Sequence, residues 1–513
     1  MKNGFVKGAV VLVIFNLIGK VLGAIYRIPL ANLLGLEGMG EYQLIFPLYS
    51  LLLAVSTSGI PVAMSKLVAE YNSQNRKKDS RRLLWSAVFY LAIISFICSA
   101  IVVFGAKLIA GLQGNKGIYF CYYGIAPAIF FVGLLSAFRG YFQGNLVMMP
   151  TAISGLVEQS SKLFFGLFFA SRLLKYGVSF GVLGALIGIS ISELFALIFI
   201  FLYYIFLRKK NNIKTEQGVS TYSTLSKQLL SMALPITFGG LAYPIVSIID
   251  SVLVVNLLMN IGYSSTVATA MYGIEFGVVD PLINIPIIIA VAVSSSILPN
   301  ISKVSAIGDK QEQKRLVEKA LQITLSVSLA CAICYVVFGK QILSFLYGGT
   351  LTTETLKMAT ILLFLGCINL IFMSLVQVSS GILQGLGKHK NAASAIGFGA
   401  LIKVVLTIVL VGNPRVNIYG VMISGGVSYL AVFVANYLRI KKETSLKLQN
   451  IYFGVSIQEC AVCLVAFFSN YFLGLVFGGN IALFGGGFIA VMIFAVSYYI
   501  LFVLKSKGED YST

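Results

Sequence analysis

Long apolar stretches recur along the whole chain, and only short polar segments separate them. A helix that crosses the hydrocarbon core of a bilayer needs about 20 mostly apolar residues. The pattern therefore predicts an all-α integral membrane protein with fourteen transmembrane helices. The predicted spans are residues 6–34, 41–71, 83–110, 118–144, 151–174, 180–207, 226–258, 267–300, 316–346, 355–386, 391–412, 417–439, 451–477 and 481–504.

One segment of this pattern occurs twice. Residues 139–144 read RGYFQG at the end of span 4, and residues 381–385 read GILQG at the end of span 10, at an offset of 241 residues. The same offset relates Lys162 to Lys403, and each of these lysines lies inside an apolar span. Many transporters are built from duplicated bundles with a site between the repeats. We therefore expect two pseudo-symmetric six-helix lobes, spans 1–6 and 7–12, around a central cavity.

The polar connection between spans 6 and 7 is the longest in the chain and marks the expected division between the lobes. We expect an N-terminal lobe at residues 1–210, a cytoplasmic linker at 211–225 and a C-terminal lobe at 226–442. Residues 443–513 contain spans 13 and 14, which have no partner in the repeat. They are expected to form an appended helix pair followed by a short cytoplasmic tail.

The basic residues are unevenly distributed between the two sides of the predicted membrane. The chain has a net charge of +20, although only 11% of its residues are charged and 58% are hydrophobic. Most lysines and arginines occur in segments on the same side of the predicted membrane as the N-terminus, as in residues 76–82 and 208–210. The positive-inside rule then places both termini in the cytoplasm. The same rule explains the charge without nucleic acid, so membrane lipids are the expected partners of these loops. We expect a monomer.

No catalytic or metal-binding pattern is evident in the sequence. There is no phosphate-binding G-x-x-x-x-G-K-[ST] motif, and a single histidine cannot supply a Ser/His/Asp set. Two C-x-x-C pairs lie inside apolar stretches, where small apolar filling is the better interpretation than a zinc or redox site. We therefore expect no enzymatic activity, no metal and no cofactor. The pairs are Cys331/Cys334 and Cys460/Cys463.

Polar residues inside span 1 form the first candidate site. Asn16, Lys20 and Arg27 fall on one helical face together with Gly23. A charged side chain at this depth costs about 2.5–3.5 kcal/mol on insertion scales, so such groups usually face a cavity or a partner. We interpret this stripe as the lining of a cavity, although Arg27 could also extend its charged group towards the membrane surface.

Two further groups of charges lie deeper in the chain. Glu158 and Lys162 are spaced for an ion pair within span 5, and Arg139 of span 4 could reach Glu158 across a short turn. We interpret these three as an inner gate or a structural element. Glu193 of span 6 has no evident partner in the sequence.

The first helices of the second lobe carry acidic residues, whereas span 1 of the first lobe carries basic ones. We expect Lys403 to pair with Asp250. A basic stripe opposite an acidic one suggests a charged substrate that alternates with internal salt bridges or with a bound proton or sodium ion. Static ion pairing between the lobes is the alternative. The acidic residues of spans 7 and 8 are Asp250, Glu275 and Asp280.

Several motifs resemble a known family of transporters. Residues 34–42 read LGLEGMGEY, residues 59–70 read GIPVAMSKLVAE, and residues 139–144 read RGYFQG. With them, the whole chain resembles the polysaccharide-transport branch of the multidrug/oligosaccharidyl-lipid/polysaccharide exporter superfamily. Within that branch it is most similar to the stage V sporulation protein B group, which is related to the MurJ-type lipid II flippases.

This resemblance implies an alternating-access flippase in a bacterial plasma membrane. Its substrate would be a lipid-linked, undecaprenyl-diphosphate saccharide or peptidoglycan precursor, and its role would lie in cell-wall, spore-cortex or polysaccharide biogenesis. It implies that Lys20 and Arg27 contact the diphosphate. Asp250 matches a sodium ligand of some members, whereas Lys403 replaces an acidic group, and we hypothesise that its ammonium stands in for the ion. Coupling to sodium, protons or the membrane potential remains open. The alternatives are a proton- or sodium-coupled multidrug exporter of the same superfamily and a non-transporting scaffold.

Overall fold

The computed structural model describes residues 2–57, 59–210 and 220–444, with two isolated positions, Val465 and Phe468. These residues form helices and short connections, and no β-strand occurs among them. Nine of the helices in this part of the chain are long and apolar enough to cross a membrane. Predicted spans 13 and 14 lie outside the described residues, apart from those two positions in span 13.

The first six predicted spans are formed by six helices, α1 to α6. The first helix, α1, continues through two spans, but Gly35 interrupts it with a φ of +71°, a left-handed conformation that glycine adopts without strain. Span 1 ends at this break, and span 2 consists of the second half of α1 together with α2. The helices are α1 (Lys2–Thr57), α2 (Ile60–Ser73), α3 (Lys77–Leu112), α4 (Cys121–Gly144), α5 (Met149–Leu173) and α6 (Val178–Lys210).

The next six predicted spans are also helical, but spans 7 and 8 are each built from more than one piece. Span 7 is α7 followed by α8, and span 8 is α9 and α10 joined by a π-helical segment, Ile274–Val279. Broken helices expose backbone groups that can bind ligands at membrane depth. The helices are α7 (Tyr222–Gly240), α8 (Ala242–Asn260), α9 (Ser265–Gly273), α10 (Asp280–Ile307), α11 (Lys310–Tyr347), α12 (Thr353–Gly385), α13 (His389–Val411) and α14 (Tyr419–Thr444).

The chain divides into two compact units, an N-terminal unit at Met1–Gly273 and a C-terminal unit at Ile274–Thr513. The N-terminal unit thus includes α7, α8 and α9 as well as spans 1–6. The predicted lobe boundaries at residues 210 and 226 stay a prediction.

The glycines of the repeated motif explain how each unit packs. In the N-terminal unit, a Cβ added at Gly140 would lie 2.7 Å from the Pro61 carbonyl oxygen, and one at Gly144 would lie 2.6 Å from that of Ser65. Real Cβ contacts are not this short, so only glycine lets α4 lie against the α2 backbone. Small residues at such positions are the usual means of close helix approach in membranes.

The C-terminal unit repeats this contact between α12 and α10. A Cβ added at Gly385 would lie 2.9 Å from the Leu298 carbonyl oxygen, and one at Gly381 would overlap the Ser294 hydroxyl. The repeated sequence therefore encodes the same helix contact twice, between spans 4 and 2 and between spans 10 and 8. This equivalence gives the sequence duplication a physical reason.

A buried aspartate anchors the connection between α2 and α3. Asp79 is fully buried and accepts hydrogen bonds from Arg76 at 2.9 and 2.6 Å. Arg76 and Arg82 also bind Ser220, through its hydroxyl at 2.6 Å and its carbonyl oxygen at 2.7 Å. Part of the basic run in residues 76–82 thus has a structural role in addition to its effect on orientation.

The glycine contacts can be tested by adding a single methyl group. Gly140→Ala and Gly385→Ala should each lower the free energy of unfolding by about 1–3 kcal/mol, because the new Cβ forces two backbones apart. Gly155→Ala in α5 is the matched control, since a Cβ there meets nothing within 4 Å. Thermal unfolding of the purified protein measures the difference. Equal stability of all three variants would show that these glycines do not set the packing.

Candidate functional site

The cationic stripe of α1 lies along the contact between α1 and α5. Added Cβ atoms at Gly19 and Gly23 would meet the side chain of Gln159 at 3.5 and 3.2 Å, so this pair of glycines faces α5. Lys20 is exposed and Arg27 is half-buried. The side chain of Asn16 lies outside the described residues, so its role in the stripe stays a prediction. The stripe therefore borders the segment of α5 that carries Glu158 and Lys162.

Lys162 does not form the predicted close pair with Glu158. No ion pair of Lys162 within 4 Å occurs among the described residues, and its ammonium instead lies over two aromatic rings of α1. The nitrogen is 5.3 Å from the ring centre of Tyr26 and 5.6 Å from that of Phe46. Such cation–π contacts stabilise an ammonium and leave its hydrogens able to bind an anion.

Glu158 is held by other partners, and this explains the difference. Its Oε2 accepts a hydrogen bond from Nη2 of Arg139 at 2.9 Å, and its Oε1 accepts one from Nε2 of Gln159 at 2.9 Å. Arg139 donates a further hydrogen bond from Nε to the buried hydroxyl of Ser154 at 3.0 Å. The Arg139–Glu158 ion pair expected from the sequence is thus formed, and it joins α4 to α5.

A second carboxyl group, that of Glu193 in α6, lies beside Glu158, and the sequence does not indicate its partners. Glu193 is 6% exposed and lies within Coulombic range of Arg139, Glu158 and Lys162. Arg27 in turn lies within Coulombic range of Lys162. A lone acidic residue in the middle of an apolar span was the available signal, but the sequence does not show which neighbouring helix it faces.

We call these five residues the charge cluster: Arg27, Arg139, Glu158, Lys162 and Glu193. The cluster contains three cationic groups and two carboxyl groups, and it is contributed by α1, α4, α5 and α6. Its members are half-buried except for Glu193. The cationic groups outnumber the carboxyl groups, so the cluster can accept a further negative charge.

The acidic candidate residues of spans 7 and 8 are divided between the two units. Asp250 of α8 is buried in the N-terminal unit. In the C-terminal unit, Glu275 is buried in the π-helical segment, and Asp280 accepts a hydrogen bond from Asn284 at 2.8 Å. Lys403 of α13 is half-buried. Asp250 and Lys403 belong to different units, and their proposed pairing stays a prediction.

Comparison with known families gives this arrangement a context. Residues 5–305, more than half of the chain, match the family model described as polysaccharide biosynthesis protein. Residues 235–409 match the MatE family model. The chain belongs to the polysaccharide biosynthesis protein family. It is thereby a member of the multidrug/oligosaccharidyl-lipid/polysaccharide exporter superfamily, as its motifs suggested.

Curated relatives of this family member extend over most of its length. It is 26% identical over 465 residues to the lipid II flippase MurJ of Bacillus subtilis, and the aligned region covers 86% of this chain and 83% of the relative. It is 25% identical to stage V sporulation protein B of the same organism, with 90% and 88% covered. It is 22% identical to the multidrug export protein MepA of Staphylococcus saprophyticus, with 85% and 94% covered.

Solved structures show that the fold of this family member is that of the superfamily. A lipid II flippase MurJ in an inward closed conformation superposes with a TM-score of 0.71 at 15% identity, and covers 96% of this chain and 98% of the other. An inward-facing MATE family multidrug resistance transporter superposes with a TM-score of 0.65 at 17% identity, with 83% and 96% covered. The predicted all-α multi-pass membrane architecture is therefore confirmed, and the protein is a membrane transporter of this superfamily.

The Arg139–Glu158 pair generates a prediction for this family member. Arg139→Met should lower the free energy of unfolding by about 3 kcal/mol, because it leaves Glu158 without its cation beside a second carboxyl group. The double variant Arg139→Met/Glu158→Gln should be more stable than Arg139→Met, since no stranded charge remains. Thermal unfolding of both variants measures this. Additive losses from the two substitutions would contradict the pairing.

Proposed function

We propose that this protein is a flippase that moves a lipid-linked, diphosphate-bearing saccharide from the inner to the outer leaflet by alternating access. The observation that carries the proposal is the excess of cationic groups over carboxyl groups in the charge cluster, together with the exposed Lys20 of the same helix as Arg27. Lysine and arginine are good partners for phosphate oxygens. The similarity to MurJ and to stage V sporulation protein B supports a substrate of this class.

The roles of the cationic groups follow from their surroundings. Arg139 is already engaged by Glu158 and Ser154, so it positions the cluster. Lys162 lies over aromatic rings without a close carboxylate among the described residues, and Lys20 is exposed. Lys20, Arg27 and Lys162 are therefore the groups that we assign to the diphosphate. In this scheme the diphosphate displaces water from these groups, and no covalent bond changes.

A multidrug exporter is the second candidate function. The MatE match at residues 235–409 and the similarity to MepA favour it. Exporters of organic cations need acidic or aromatic surfaces to bind their substrates. An excess of cationic groups in the charge cluster repels such substrates, and this favours an anionic one.

Lysine substitutions test the proposal in proteoliposomes that contain a fluorescent undecaprenyl-diphosphate sugar. Lys20→Ala and Lys162→Met should each slow flipping by about tenfold or more, because a hydrogen bond to a charged group contributes about 1.5–3 kcal/mol. Lys107→Ala is the matched control, since Lys107 is an exposed lysine whose ammonium lies 5.6 Å from the Tyr119 ring centre, on a different helix from the cluster.

Two outcomes would contradict the proposal. Wild-type flipping rates in both Lys20→Ala and Lys162→Met would show that neither ammonium binds the diphosphate. Efflux of an organic cation by the wild-type protein, without flipping of the diphosphate lipid, would establish the multidrug function instead.

A further inference from the structure

Glu193 is the most deeply buried ionisable group of the charge cluster, and its carboxyl group is not fully satisfied. The side chain is 6% exposed, and its Oε2 has no hydrogen-bond partner among the described residues. An unpaired buried polar atom costs free energy, and an unpaired buried charge costs several kcal/mol. This is unlike Glu158, both of whose oxygens accept hydrogen bonds.

The ionisable groups around Glu193 come from every long helix packed against α6. Helix α5 contributes Glu158 and Lys162, α4 contributes Arg139, and α1 contributes Tyr49. Glu158 opposes a negative charge on Glu193, and the two cationic groups favour it. Because Arg139 is already bound by Glu158, Lys162 is the cation that decides the balance.

An anion bound at Lys162 changes this balance. It neutralises Lys162, which has no carboxylate within 4 Å among the described residues, and it brings further negative charge to the cluster. Both effects disfavour the carboxylate form of Glu193 and favour the neutral acid. The carboxyl group can therefore respond to whether the cationic groups are occupied.

We propose that Glu193 is a proton-binding site whose occupancy is linked to anion binding at Lys162 and Arg27. A proton from water forms an O–H bond at the Glu193 carboxylate, giving a neutral acid, and it returns to water when the anion leaves. The anion rests on the proposed function, whereas the proton site does not. Linkage is reciprocal, so protonation of Glu193 must strengthen anion binding by the same factor that anion binding strengthens protonation.

Anion binding should be stronger at acid pH than at alkaline pH. At low pH Glu193 is neutral, and Lys162 is available to the anion. As the pH rises and Glu193 loses its proton, the carboxylate competes for Lys162 and the anion binds more weakly. Coupling between two sites is commonly about 5–150-fold, and we expect about tenfold here.

Infrared difference spectroscopy tests the proton site directly on the full-length protein in lipid nanodiscs. The difference between wild-type and Glu193→Gln spectra over a pH titration should contain a protonated-carboxyl C=O band that disappears as the pH rises, because the bands of the other carboxyl groups cancel. The same band should appear when Glu70→Gln replaces the wild-type protein in this comparison, since Glu70 is an exposed glutamate at the end of α2. Absence of the band at every pH, or its loss together with the bands of the exposed carboxyl groups, would overturn the proton site.

Binding of undecaprenyl diphosphate to the same nanodiscs tests the linkage. The probe's own ionisation affects both proteins equally, so the comparison is the ratio of affinities at acid and alkaline pH. The wild-type ratio should exceed the Glu193→Gln ratio by about tenfold. Equal ratios would overturn the linkage. A wild-type carboxyl band without any binding of the probe would refute the proposed function and leave the proton site standing.

Discussion

The free-energy cost of placing charges within a membrane protein is the constraint on which this structure depends. A single charged residue in a span is costly, and the N-terminal unit holds five of them in one cluster. The cost is met by local partners: Glu158 binds Arg139 and Gln159, and Lys162 lies over the rings of Tyr26 and Phe46. The excess of cationic groups is not neutralised within the cluster, and the proposed anionic substrate rests on this excess.

Close helix packing is the second requirement, because the charged groups can meet only if their helices approach. Glycines provide this approach at the α4–α2 contact and at the equivalent α12–α10 contact of the C-terminal unit. Gly19 and Gly23 of α1 face the side chain of Gln159 on α5. The duplicated sequence motif thus encodes packing geometry, and most of the charges differ between the two copies of the repeat, with Lys162 and Lys403 as a shared position. This separation lets one architecture serve different substrates within a superfamily.

The sequence predicted the helices well, because apolar length alone decides which segments can cross a bilayer. It also predicted the Arg139–Glu158 pair, since the turn between α4 and α5 is too short to allow many alternatives. It did not predict the partners of Glu193 or the aromatic surroundings of Lys162. Both depend on the rotation of neighbouring helices about their axes, which no local spacing specifies. The intrahelical Glu158–Lys162 pair that the spacing allows is not formed within 4 Å, because Arg139 of α4 and Gln159 of α5 already donate to that carboxylate.

The breaks within predicted spans were equally hidden from the apolar pattern. Span 8 is continuous in hydropathy, yet it contains a π-helical segment with the buried Glu275. Segments of this kind are frequent at functional sites in membrane and soluble proteins. Glu275 and Asp280 therefore remain candidates for ion coupling, which is a proposal separate from the diphosphate site.

Native mass spectrometry of the purified protein tests the central claim most directly, because it identifies the lipid that the charge cluster retains from the membrane. We predict a co-purified diphosphate lipid on the wild-type protein, released at high ionic strength and lost when Arg27 and Lys162 are both replaced by methionine. Retention of only zwitterionic phospholipids, or equal retention of a diphosphate lipid by the double variant, would contradict the account.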